Sequence, residues 1–416
     1  MTVDVLVVGA SAGGLAVAEG LRRHGFTGTI TLLDGEREPP YDRPPLSKQV
    51  LDGRWPPERA RLRTRAELEA LGAELRLGAE AAALDVPGHR VTLRDGTVLG
   101  YRRLVLATGL HARRLPGRTP VAGAHTLRTL GDSVRLRAGL LAARRVVVVG
   151  AGVLGCEIAA TARGLGREVT VVEPAARPLP GLLGPALGAE LAALHAEHGV
   201  RLLTSTPAAG LTGEAGRVTG VRTASGVVLP ADAVVVAVGG RPATDWLADS
   251  GLTLDDGVVC DDRCRAAPDV YAVGDVARFG AGPGTRGVRL ENRTNATEQG
   301  LYVAAELLGA APGPYRPVPY VWTDQFGTRI QVHGTVPADA TVRIAEGSVR
   351  ERRFVAHAEA GGRLVGVVGW NSPGRLRTAR ALLTAATAAP APSPTTTASP
   401  TTTTTTTSTT TLTGDP

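Results

Sequence analysis

Apolar residues along this chain come in short unbroken runs, each closed by a glycine-rich break and followed by a longer stretch of small and apolar residues. "VDVLVVGASAGGLAVAEGLRRHGFTGTITLLD" begins at residue 3, and "RRVVVVGAGVLGCEIAATARGLGREVTVVE" begins at residue 144. An unbroken run such as Val146 to Val149 predicts a strand buried on both faces of a parallel sheet. The glycines predict a tight turn, the small-residue stretch a helix, and the next apolar run a second strand that ends in an acid. The plan occurs twice, so the chain holds two βαβ units. Later stretches behave differently. "TRIQVHG" and "GRLVGVVGW" alternate polar and apolar residues, which predicts strands of a smaller α+β part.

The two breaks carry chemistry. A G-x-G-x-x-G turn between a strand and a helix lets the backbone approach a pyrophosphate, and the helix N-terminus faces that anion. The second unit has Gly150, Gly152 and Gly155 in these places. The first has Gly9, Ser11 and Gly14, with Gly13 beside them. Ser11 stands where only a small residue fits, and its hydroxyl can donate to a phosphate oxygen. The acid ending the second strand accepts hydrogen bonds from a ribose diol. In the second unit this is Glu173, whose charge repels a 2′-phosphate and so favours NADH over NADPH; Arg167 and Arg177 nearby weigh the other way. Two dinucleotide sites in one chain suit an enzyme that binds FAD at the first and NADH at the second. "YRRLVLATG" (101–109) and "ADAVVVAVGGRP" (231–242) each end a strand in a small-residue turn, and "APDVYAVGDVARF" (267–279) leads a strand to Gly274 and Asp275. A carboxylate there can bind a ribityl hydroxyl.

Composition narrows the classes. The 416 residues are 43% apolar and 20% charged, ordinary for a globular protein of two or three domains. No run of about 18 apolar residues predicts a membrane span. The first strand starts at once, so no signal peptide is expected. Three cysteines make no disulfide framework, which fits a reducing cytoplasm. The net charge of +7 favours an acidic partner. Nothing interleaves arginines with aromatics or forms a helix-turn-helix, so nucleic acid is not expected. The histidines are scattered without metal-ligand spacing. Residues 385–416 turn into Thr/Pro/Ser low complexity, which predicts a disordered tail.

Longer motifs are more specific: "PYDRPPLSK" (40–48), "LRTL" (127–130), "GAGVLGCE" (150–157), "YAVGDVARF" (271–279), "VRLENRTNATEQG" (288–300) and "YVWTDQFGTRIQVHG" (320–334). On these, over about residues 3–380, the chain resembles the FAD-dependent ferredoxin reductases of the putidaredoxin reductase type. The resemblance implies an α/β fold with two Rossmann-like domains and a smaller α+β domain. FAD is expected on residues 1–113 and 240–317, NADH on 114–239, and the interface domain on 318–384. It also implies hydride transfer from NADH to FAD, then single electrons to an iron–sulfur ferredoxin that supplies an oxygenase, by a monomer or homodimer.

The same resemblance places Lys48 beside the flavin, paired with Glu157. It sets Arg43 and Arg128 against the phosphates or ring system and Asp275 on the ribityl chain. Thr108, Ala81 and Gly239 line the cofactors, and Trp322 packs near the flavin. Two departures stand out. The family's acid falls at Gly35, whereas here Asp34 precedes it, so either Asp34 or Glu36 serves the adenosine ribose. Arg293 stands where the family often has an apolar residue. Relatives that reduce disulfides keep a cysteine pair beside the flavin; Cys260 and Cys264 are not so spaced, and Cys156 lies in the second Gly-rich helix. The rival readings are a flavoprotein that reduces a small molecule or oxygen directly, and a non-enzymatic signalling protein responsive to FAD and NADH.

Overall fold

Thr2–Val8 is a central strand of the first sheet. It pairs in parallel with Ile30–Asp34 on one side and Val98–Leu106 on the other. Val3, Val5, Leu6, Val7 and Val8 are all buried, as a strand covered on both faces requires. Glu74–Leu77 and Val270–Ala272 extend the sheet in parallel at its two sides. The structure is a computed structural model and describes residues 2–115 and 122–388.

The helix Ala12–Arg23 returns from the first turn and buries Leu15, Val17, Ala18 and Leu21. It crosses the helix Arg293–Leu307 at very short range. A Cβ on Gly300 would sit 2.5 Å from the carbonyl oxygen of Gly13, and one on Gly20 would sit 2.6 Å from Ala304. Gly300 is required because it meets the backbone of the other helix, and Gly20 because it meets the Ala304 methyl. This contact brings the Asn292–Ala296 turn over the first nucleotide turn.

The second unit builds a parallel sheet in the order Val200–Leu203, Glu168–Val172, Arg145–Val149, Ala233–Val236, Ala124–His125. Its Gly-rich helix is Val153–Gly164, and a second helix, Gly184–Glu197, covers the same sheet. The third sheet is antiparallel, with strands Tyr320–Gln325, Thr328–Gly334, Arg363–Trp370, Arg353–Ala360 and Thr341–Ser348. The alternation in "TRIQVHG" and "GRLVGVVGW" is realised there. One hydrophobic cluster joins the second and third sheets, running from Val148, Ile158 and Leu191 to Ile330, Phe354 and Trp370. The strand Tyr320–Gln325 packs against the Gly-rich helix Val153–Gly164, and Gln325 reaches His195 on the second helix.

The helix Pro373–Ala388 packs Leu376, Ala379 and Leu383 on the third sheet. It carries helical backbone into the segment expected to be a tail from residue 385. The rest of that expected tail lies outside the described residues. Cys156, Cys260 and Cys264 are free and buried. Burial holds all three thiols well above their usual range, Cys264 at about 12. Among the described residues no helix is long and apolar enough to cross a membrane.

Candidate active site

Both Gly-rich turns open on one cavity of about 510 Å³ between the three sheets. The two turns are built alike. Gly9 and Gly150 take φ of +108° and +101°, and a Cβ on either would collide with the carbonyl of Ala107 or Ala237. A Cβ on Gly14 would lie 1.8 Å from the Gly9 oxygen, and one on Gly155 would lie 2.0 Å from the Gly150 oxygen. These four glycines therefore pack strand against helix. The middle position is different. Gly152 has φ −69° and ψ −178°, with no atom within 4 Å of an added Cβ. Ser11 has φ −78° and ψ −157°, an extended conformation open to any residue. Its hydroxyl makes no capping bond, and both residues line the cavity.

Strand register settles which acid ends the first unit. Val8 faces Leu33 and Val149 faces Val172, so Asp34 and Glu173 follow at equivalent places. Their bonds match as well. Asp34 accepts from the amides of Ala10 and Glu36 at 2.8 and 2.9 Å, and Glu173 accepts from those of Ala151 and Ala175 at 2.6 and 2.9 Å. Burial raises the Asp34 carboxyl above its ordinary range. Glu36 is occupied elsewhere, by Arg43 at 2.9 Å and by the Tyr41 hydroxyl. Gly35 lies one residue beyond, beside Glu80.

Positive charge gathers on one wall. Arg43 donates to the carbonyl of Arg128 at 2.6 Å, so two guanidinium groups border the cavity together. Burial, and then the Arg43 charge, push the Arg128 guanidinium below its usual range. Arg128 reaches Asp275 only at 3.4 Å, and its Nε is buried with no partner. An anion between these arginines would relieve both costs. Arg293 also lines the cavity, tied to Asp42 and Thr297.

The cavity wall also holds a buried ion pair, at the far end of the turn that starts at Arg43. Lys48 and Glu157 are 8% and 4% exposed, with Nζ and Oε2 2.8 Å apart. The Ser47 hydroxyl donates to the same oxygen at 2.5 Å, and the Thr323 hydroxyl donates to the other at 2.9 Å. Lys48 ends the short helical turn Pro44–Ser47, and Glu157 stands in the first turns of the second Gly-rich helix. The pair thus ties the first nucleotide unit to the second.

Ser11, Gly13, Arg43, Lys48, Thr108, Arg128, Gly152, Glu157, Gly239, Asp275, Arg293 and Trp322 all line this cavity. Gly9, Gly14, Gly150 and Gly155 stand behind it as packing positions, and Asp34 and Glu173 brace the turns. Ala81 is not on the wall; it lies at the start of the strand Ala81–Asp85, paired with Leu93. None of the three cysteines reaches the wall either. Ser47 and Thr323 were missed by the sequence reading, although both sit inside quoted motifs. Among the described residues no group of three metal-ligating side chains forms.

Comparison with known proteins places this geometry. Residues 3–300 match the family described as pyridine nucleotide-disulphide oxidoreductase, and residues 320–404 match one described as reductase C-terminal. Rhodocoxin reductase of Rhodococcus erythropolis is 38% identical over 385 residues, covering 91% of this chain and 89% of its own length. The ferredoxin–NAD(+) reductase component of the anthranilate 1,2-dioxygenase system of Burkholderia cepacia is 38% identical, covering 91% and 94%. The crystal structure of the covalent putidaredoxin reductase–putidaredoxin complex matches with a TM-score of 0.86 at 33% identity, over 92% of this chain and 93% of that one.

Proposed function

This chain belongs to the pyridine nucleotide-disulphide oxidoreductase family, and on that premise we propose that it is an FAD-dependent NADH:ferredoxin reductase serving an oxygenase. The observation that carries the reading is the buried Lys48–Glu157 pair, set where both Gly-rich turns meet one cavity. Bound FAD supplies the chemistry that this needs, accepting a hydride from NADH and releasing electrons one at a time.

The chain's own residues do the rest. Arg43, Arg128 and the Ser11 turn, which line the cavity together, would hold the diphosphate of FAD. Asp275 accepts from a hydroxyl of the linking chain. The Gly152 turn and Glu173 hold the second dinucleotide. Lys48 would set a fixed positive charge at the cavity wall, able to stabilise negative charge on a reduced cofactor bound there. Glu157 keeps that charge desolvated but paired. Val321 and Trp322 close the side contributed by the third sheet and exclude water. We place the protein in the cytoplasm, where its three free thiols stay reduced.

Stopped-flow absorbance tests the reading. The yellow protein should bleach on mixing with NADH, and cytochrome c should be reduced only when a two-iron ferredoxin is added. That second rate should fall several-fold between low salt and about 0.5 M, as charge-steered encounters do. Ferredoxin-independent electron loss would favour direct reduction of a small molecule, and absence of flavin would overturn the proposal. Ser11→Gly should keep a full flavin complement and weaken FAD by less than about tenfold, the worth of one hydrogen bond. Fluorescence of released flavin on dilution reads this directly.

A further inference from the structure

Glu157 is the end of a longer buried chain. His195, on the helix Gly184–Glu197, is 1% exposed and has Nε2 2.5 Å from Oε1 of Gln325. An amide oxygen only accepts, so the ring nitrogen facing it carries the hydrogen. Gln325 in turn donates through Nε2 to the Thr323 hydroxyl at 3.2 Å. Thr323 donates to Oε1 of Glu157 at 2.9 Å, and Lys48 donates to Oε2 at 2.8 Å. Every donor from His195 onward points toward the carboxylate. Gln325 and Thr323 are 4% and 1% exposed, so water does not compete for these bonds.

The arrangement follows from strand geometry. In Tyr320–Gln325, alternate side chains face opposite ways, and Thr323 and Gln325 share the face turned to the second sheet's helices. That face is polar although it is buried. An apolar seam would cost less desolvation; this one ends on a charge at the cavity wall. Phe326 holds the His195 ring edge-on at 5.1 Å. His195 Nδ1 is buried without a partner, and burial pushes the imidazole below its usual range, so the ring stays neutral with its one hydrogen on Nε2.

We propose that His195, Gln325 and Thr323 act as one set of positioning residues, fixing the Glu157 carboxylate and through it the Lys48 ammonium at the cavity wall. Reversing any link would turn the Thr323 hydroxyl away from Glu157 and leave Oε1 with only the longer bond from the Asp324 amide, at 3.4 Å, while Ser47 and Lys48 still hold Oε2. The inference rests on the reductase reading given above, because its consequence is read in the rate of flavin reduction.

Matched variants test it by stopped-flow, recording the rate at saturating NADH and the NADH concentration for half that rate. Thr323→Val and His195→Leu should each slow reduction about tenfold, the effect of one charge-directed hydrogen bond, while the half-saturating concentration moves less than about twofold. Thr323→Ser keeps the hydroxyl, and His195→Gln keeps a donor at the place of Nε2; both should return to within about threefold of the parent rate. The double variant His195→Leu/Thr323→Val should be no slower than Thr323→Val alone, since the chain is already broken. A parent rate in His195→Leu overturns the inference, and so does an equal loss in His195→Leu and His195→Gln. If His195→Leu does not fold, Gln325→Met breaks the same link from the strand and is judged by the same criteria. A parent protein that NADH fails to bleach overturns the reductase reading itself; a parent that bleaches beside unchanged variants overturns this inference alone.

Discussion

Lys48→Met should slow the reduction of bound flavin by NADH about a hundredfold, the loss typical when one fixed group facing developing charge is removed. Methionine keeps the unbranched stem of the side chain and loses only its terminal ammonium, so the packing should be kept and the flavin should stay bound. What is lost is a charge that is only 8% exposed and therefore little screened by water. The variant also strands Glu157 as a buried carboxylate, at a cost of about 3–5 kcal/mol in stability. The double variant Lys48→Met/Glu157→Gln separates the two effects. It should recover most of the lost stability, because the buried side chain left without its ammonium partner is then a neutral amide rather than a carboxylate, and it should remain slow. Thermal unfolding read beside stopped-flow distinguishes these outcomes. A Lys48→Met protein with full flavin and the parent rate would remove Lys48 from the chemistry.

Much of the site is legible in the sequence because it lies in local motifs. The two turns carry their glycine spacing, and "PPLSK" places Lys48 one residue after Ser47. What the sequence leaves open is decided by register and distance. Asp34 and Glu36 are equally good ribose acids on paper. The pairing of Val8 with Leu33 puts Asp34 level with Glu173, and Arg43 occupies Glu36. The meeting of Arg43 with Arg128 spans 85 positions, and no local pattern announces it. Thr323 and Gln325 left a fainter trace, as polar residues in a strand beside a cavity. Nothing in a single sequence says which face of such a strand is buried. His195 reads as one more scattered histidine until its helix is packed against that strand. The departure at Arg293 is absorbed in the same way: Asp42 pairs with its charge and the Thr297 hydroxyl accepts from it, holding the side chain at the cavity edge.

The glycines of one turn are not equivalent, and this yields a second large effect. Gly155→Ala should weaken NADH at least about a hundredfold while the flavin stays bound. Its Cβ would lie 2.0 Å from the Gly150 oxygen, which no rotamer can relieve because both partners are backbone. The helix must move off the strand, and overpacking of this kind costs about 3 kcal/mol, enough for two orders of magnitude in binding. Gly152→Ser should do far less. It recreates in the second turn the residue that Ser11 already provides in the first, at a φ any residue adopts and with no atom within 4 Å. Its NADH half-saturation should shift by less than about fivefold, within one hydrogen bond's worth. Gly14→Ala should mirror Gly155→Ala on the other site, losing flavin instead, since its Cβ meets the Gly9 oxygen at 1.8 Å. Absorbance of the purified variants gives flavin content, and the NADH dependence of bleaching gives the second affinity. If Gly152→Ser proves as damaging as Gly155→Ala, the middle position is a phosphate contact that tolerates no side chain, and Ser11 must then be accommodated by a shift of the dinucleotide in the first site that has no counterpart in the second.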